Sequence, residues 1–133
     1  MSDNFGCDEE PSCQFAWNEL LTNDVEGAKS FYTSVFGWET AEWPLGGAKY
    51  EVWKDGDATL GGLMQLPPEF SKAPLWLSYV KVADVDIATE KAQELGGKVV
   101  IPVMDIANIG RIAVLTDPQG AVFGVAQFAC CSD

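Results

Sequence analysis

The sequence predicts an α+β chain made of two tandem βαβββ modules, whose eight-stranded sheet curls around a cleft with the helices outside. Three observations predict it. An Asp-capped helical stretch occurs twice, from Asp24 to Gly37 and from Asp84 to Gly97, with the same span each time. Each copy follows one strand-like run and precedes three more. Between the copies lies "LPPEFSKAP", residues 66–74, whose prolines suit neither a helix nor a ladder strand. The 133 residues are 47% hydrophobic and 21% charged, which suits one domain overall with a real core.

Residues 1–12 read as an acidic tail carrying Asp3, Asp8, Glu9 and Glu10. The first module, 13–66, begins with a strand over about 14–22. Alternation there places Phe15, Trp17, Glu19 and Leu21 on one face, and Asn18 and Leu20 on the helix side. Asp24 is a good N-cap, Glu26 favours the first turn, and Gly37 can take the left-handed closing position. Val25, Ala28, Phe31, Tyr32, Val35 and Phe36 recur at helical spacing, predicting a helix over about 25–36. Strand-like runs follow at about 38–43, 48–54 and 58–66.

After the linker, 67–74, the second module covers 75–128. Leu75, Leu77, Tyr79 and Lys81 share the cleft face, and Ser78 and Val80 face the helix. Asp84 caps a helix whose expected buried stripe is Val85, Ala88, Ala92 and Leu95, and Gly96 and Gly97 stop it. Three more strands are expected at about 98–104, 110–116 and 121–128, the last two joined by "DPQG" with proline second in the turn. Residues 129–133 form a tail containing Cys130 and Cys131.

Twenty acids against eight bases give a net charge of −12. This argues against nucleic acid and anionic membrane as partners, since phosphate binding needs clustered Lys and Arg. It reads either as an acidic, soluble surface or as attraction for a cationic ligand. No apolar run approaches the ~20 residues that cross a bilayer. The start is acidic where an export signal would be basic and then apolar, so the expected location is cytoplasmic. Cys7, Cys13, Cys130 and Cys131 lie near the ends and fit no zinc spacing. A cytoplasmic chain keeps them reduced, and a bridge between termini or between subunits is the alternative.

The chemistry concentrates on the first strand. Glu19 stands among large apolar groups, where a carboxylate requires a partner, a proton or a ligand. It either pairs with Lys81 or Tyr79, or it serves a ligand directly. In the second case burial beside Trp17 would raise its pKa toward values useful to a general base. Phe15, Trp17, Glu19, Leu77 and Tyr79 make a wall suited to a planar organic ligand, and Trp43 and Trp53 either add to its rim or fill the core. Trp38 and Trp76 read as core. Gly62 and Gly124, with Gly61, remove bulk from mid-strand, either for close backbone packing or a bulge, or as floor space for a flat ligand.

"WNELLTNDVEGAKSFYTSVFGWE" together with "DPQGAVFGVAQ" resembles the glyoxalase, bleomycin-resistance and extradiol-dioxygenase superfamily, the vicinal oxygen chelate fold. Thr22 through Trp38 carry the signature, and the similarity is to single-chain, two-module glyoxalase-like members. The resemblance implies a divalent metal bound by the first and last strands of each module. The corresponding positions here are Trp17, Gly62, Leu77 and Gly124, none of which offers a suitable donor atom. The expectation is therefore no metal and no cofactor. What remains is a protein that binds a small aromatic organic ligand, cationic ones included, between its modules. Two alternatives stay open: a metal-independent isomerase or lyase with Glu19 as general base, and a glyoxalase-type lyase that binds metal atypically. The resemblance also makes a homodimer compatible, although one chain already supplies both modules.

Overall fold

The structure, a computed structural model, describes residues 13–45, 48–68, 70, 73–106 and 110–128. Cys7, Cys130, Cys131 and the acidic tail lie outside them. Cys13 is an exposed free thiol.

The chain runs β1 (Phe15–Thr22), α1 (Val25–Phe36), β2 (Glu39–Leu45), β3 (Ala48–Asp55) and β4 (Ala58–Gln65). It continues with β5 (Leu75–Lys81), α2 (Val85–Glu94), β6 (Lys98–Ile106), β7 (Gly110–Thr116) and β8 (Val122–Phe128). The eight strands are mixed parallel and antiparallel and are accompanied by two helices, the α+β class expected. Two compact units result, Trp17–Leu77, and Ser78–Asp133 with Met1–Ala16. The division falls within β1 and within β5. Ahead of β5, Phe70 is buried and donates its N–H to the Pro67 carbonyl at 3.0 Å.

In the Trp17–Leu77 unit the strand order is β2-β3-β4-β1. β2, β3 and β4 form antiparallel hairpins, and β4 pairs β1 in parallel with Glu19 opposite Gly62. Asp24 Oδ1 accepts from the Gly27 N–H at 2.9 Å, satisfying a donor the first turn leaves open. Gly37 closes the helix at φ 76°, a conformation that favours glycine. Between α1 and the sheet lie Leu20, Ala28, Trp53 and Leu63, with Val25, Tyr32, Trp38 and Leu60 packed against them. Each fully buried large side chain contributes roughly 1.5–3 kcal/mol of transfer free energy.

The apolar stripe of α1 is wider than the surface it covers. Val25, Ala28 and Tyr32 face the sheet, whereas Phe31, Val35 and Phe36 are exposed, at 58%, 53% and 57%. Twelve residues of helix present only one flank to a sheet, so positions rotated off the 25-28-32 line stay in solvent.

In the other unit the order is β5-β8-β7-β6, with β5 and β8 parallel and Tyr79 opposite Gly124. Asp84 caps α2 through the Ile87 N–H at 3.0 Å. In the "DPQG" turn, Gly120 N–H donates to the Asp117 carbonyl, and Asp117 Oδ1 accepts from the N–H groups of Gln119 and Ala121, each at 2.9 Å. The core is aliphatic: Val85, Ala113, Leu115 and Val125, flanked by Val82, Ala92, Val99, Val103 and Phe123. Leu95 departs from expectation. It sits at the helix end as the C-cap residue and is 69% exposed, while Thr89 takes a buried place beside Val85.

Candidate functional site

The alternation of β1 puts Trp17 and Glu19 on the face away from α1, since Leu20 lies in the helix-side core. The cross-strand registers extend that face. Glu19 is opposite Gly62, Gly62 is opposite Val52, and Tyr50, two residues before Val52, is opposite Trp43. One surface of the Trp17–Leu77 unit thus carries Trp17, Glu19, Trp43, Tyr50 and Gly62.

These groups are joined by hydrogen bonds. Trp17 Nε1–H donates to the Tyr50 hydroxyl at 3.0 Å, and that hydroxyl donates to Glu19 Oε2 at 2.6 Å. The second bond has the short length of one made to a carboxylate. Glu19 itself is 6% exposed, so this partner offsets part of its desolvation. The Trp17 and Trp43 rings stack with centroids 5.9 Å apart and planes 26° apart. The result is an aromatic surface backed by an acid held in place through a phenol.

Gly62 is what admits the phenol. A Cβ there would collide with the Tyr50 hydroxyl and its ring end. Gly124 does the same for Tyr79 in the other unit, where a Cβ would strike the ring near its root. The bulk missing from both glycines is thus filled by the chain's own tyrosines. Gly61 belongs to close packing, because a Cβ would meet the Asn18 carbonyl.

Sequence reasoning placed Trp17, Glu19 and Trp43 together, and the structure brings them together. It overlooked Tyr50. The available signal was the alternation within β3, which puts a tyrosine on the face where Gly62 leaves room. Phe15 is 74% exposed. Trp53 lies on the opposite face, fully buried against α1 with Tyr32 and Trp38. Trp76, read as core, is 41% exposed and donates its indole N–H to the Tyr32 hydroxyl at 3.2 Å. Its face is the helix side, but it stands at the edge of the cluster. Leu77 and Tyr79 are buried, at 1% and 6%.

The four positions that would hold a divalent metal do not fit one. Trp17 offers an N–H already given to Tyr50, Leu77 has no donor atom, and the spaces at Gly62 and Gly124 hold tyrosines. Among the described residues no group of three or more His, Cys, Asp or Glu side chains could hold a metal ion. Among them, too, no helix is long and apolar enough to cross a membrane.

A βαβββ unit repeated twice, with its glycine at the last strand of each copy, defines a class of protein, and comparison with known proteins agrees. The chain belongs to the Glyoxalase/Bleomycin resistance protein/Dioxygenase superfamily, whose family model matches residues 14–125. It is similar to CFP32 of Mycobacterium tuberculosis, provisionally named a glyoxylase, with 43% identity over 112 residues, 84% of this chain and 42% of that protein. It is 35% identical over 111 residues to the anthracycline biosynthesis protein DnrV of Streptomyces peucetius, covering 84% of this chain and 40% of the relative. The chain spans about two fifths of the length of these curated relatives. Among solved structures, methylmalonyl-CoA epimerase from Mycobacterium tuberculosis matches with a TM-score of 0.58 at 14% identity, over 87% of this chain and 88% of that one. Protein BH1468 from Bacillus halodurans matches with a TM-score of 0.63 at 12% identity, over 92% and 99%. Both likenesses are of fold.

Proposed function

We propose that this protein binds a small, flat aromatic ligand, preferentially cationic, on the sheet face carrying Trp17, Trp43, Tyr50 and Glu19. The observation that carries the reading is the hydrogen-bonded run from Trp17 through Tyr50 to Glu19 beside the stacked Trp17–Trp43 pair. Aromatic faces attract flat rings and cations, each such contact contributing about 0.5–2 kcal/mol. Glu19, held by the phenol, supplies negative charge at a partly desolvated place, where a cation gains more than it would in open solvent. The chain's net charge of −12 favours the same ligand sign. Relatives named for anthracycline biosynthesis fit a ligand of flat aromatic character.

Recognition here uses ring contact and one fixed acid, and the ligand's own charge replaces the role a metal has elsewhere. Calorimetric titration with proflavine, a planar cation, tests this. Binding is expected to weaken several-fold from low to high salt. The Glu19→Gln variant should bind about tenfold more weakly, equivalent to about 1.4 kcal/mol. Affinity indifferent to both salt and Glu19→Gln would dismiss the reading.

A further inference from the structure

We propose that the exposed aromatic flank of α1 is the contact face of a two-fold dimer, where Phe31, Val35, Phe36 and Trp76 of one copy cover those of a second. In the single chain these side chains are 58%, 53%, 57% and 41% exposed. Apolar residues scattered singly on a surface need no partner, whereas a contiguous patch marks an interaction site. Val35 stands one helical turn from Phe31 and Tyr32, so the group is continuous along α1.

Tyr32 ties the patch together. Its ring centroid lies 5.0 Å from that of Phe31, 6.2 Å from Phe36 and 5.4 Å from Trp76. Its hydroxyl accepts from the Trp76 indole N–H at 3.2 Å, and the Trp38 ring lies 4.8 Å from Phe36. Rings that hold one another in place lose little freedom on association. With about 150–250 Å² to bury per large aromatic side chain, these exposures amount to roughly 400 Å² of apolar surface. A standard interface buries about 800 Å² per partner, somewhat over half of it apolar. The patch therefore supplies most of the apolar area that one side of a stable dimer needs.

Charge selects the occupant. From Ser30 to Trp38 the sequence has no charged residue, in a chain of net charge −12. Two copies of so acidic a chain repel, and an uncharged stretch is where that repulsion opposes contact least. A basic partner would be drawn to acids, which this stretch lacks. Its complement is a second uncharged aromatic patch, and a two-fold contact supplies one by using the same surface on both copies. The Trp17 and Glu19 face points away from α1, so the dimer leaves it open and stands apart from ligand binding there.

Sedimentation equilibrium of the whole chain tests the face. A dimer is expected at about 100 μM protein, tightening several-fold between about 50 mM and about 500 mM salt as repulsion is screened. Phe36→Asp should weaken it about tenfold or more by placing a carboxylate in the contact, with circular dichroism reporting the fold. Val35→Lys should weaken it as well, although that change lowers the repulsion between copies. Leu95→Asp, at an exposed position ending α2, should leave it unchanged. On dilution the Trp76 indole N–H signal should shift while that of Trp17 stays. A dimer that salt dissociates, that keeps its affinity in Phe36→Asp or Val35→Lys, or that is lost in Leu95→Asp would overturn the proposal. A chain still monomeric at this concentration in high salt would overturn it too, and would assign the patch to an unlike partner.

Discussion

All five tryptophans fall in the Trp17–Leu77 unit and none in Ser78–Asp133, although the two share a plan. Both have an Asp-capped helix, a parallel strand pair and a mid-strand glycine beneath a tyrosine. They part at one matched position. Opposite Gly124 stands Tyr79, whose own ring covers the glycine; opposite Gly62 stands Glu19, and the covering tyrosine comes from β3. In one unit the glycine lies beneath the ring of its own cross-strand partner. In the other the borrowed tyrosine carries a hydrogen bond to an acid, so the same architecture yields a polar, aromatic surface. The proposed binding face lies where the repeat diverges.

The largest expected effect separates the two cores. Trp53→Ala should destabilise the protein by about 4 kcal/mol and Leu115→Ala by about 3 kcal/mol, measured by urea unfolding. A loss below about 1 kcal/mol for Trp53→Ala would mean that the aromatic cluster is not the core of its unit.

A smaller effect sharpens the contrast between the glycines. Gly124→Ala forces a methyl group against the root of the Tyr79 ring, which cannot swing aside, and should destabilise by about 2–3 kcal/mol. Gly62→Ala meets the far end of Tyr50, which can move, so its loss should be about 1 kcal/mol. That movement breaks the contact with Glu19, so Gly62→Ala should weaken proflavine binding while Gly124→Ala leaves it unchanged. Equal stability losses with equal binding would erase the distinction.

The smallest effect concerns the helix-to-strand charge pair of the aromatic unit, Lys29 with Glu51, where the other unit pairs Asp86 with Arg111. Lys29 Nζ lies 2.9 Å from Glu51 Oε2, and that hydrogen bond raises the amine's pKa above its ordinary value near 10.5, against the opposing effect of burial. Because the folded value is the higher one, its contribution is complete below about pH 10 and fades as pH rises through the folded value. Lys29→Met should therefore lower stability by a few tenths of a kcal/mol at neutral pH and flatten the decline above pH 10.5. An unchanged alkaline limb would remove the pair from the account.

Much of the fold was legible because its signals are local. Asp24, Asp84, Gly37 and the "DPQG" turn each act through bonds within a few residues, and the helix over 25–36 fell where capping and period placed it. Strand alternation also sorted Trp17 and Glu19 from Leu20. Side-chain meetings across strands were less readable. Tyr50 reaches Glu19 only through a register that no short window contains, and Trp53 was placed with Trp43 although they lie on opposite faces. Helix width misled as well, since apolar spacing in α1 continued to Phe31 and Phe36 beyond the flank the sheet covers.

The account rests on the face of β1 that carries Trp17 and Glu19. Adding proflavine while following the indole N–H signals tests it most directly. A saturable change at Trp17, with Trp53 unmoved and the response reduced in Glu19→Gln, is the predicted result. Saturable binding that leaves the Trp17 signal in place, or no binding at millimolar dye and low salt, would contradict it.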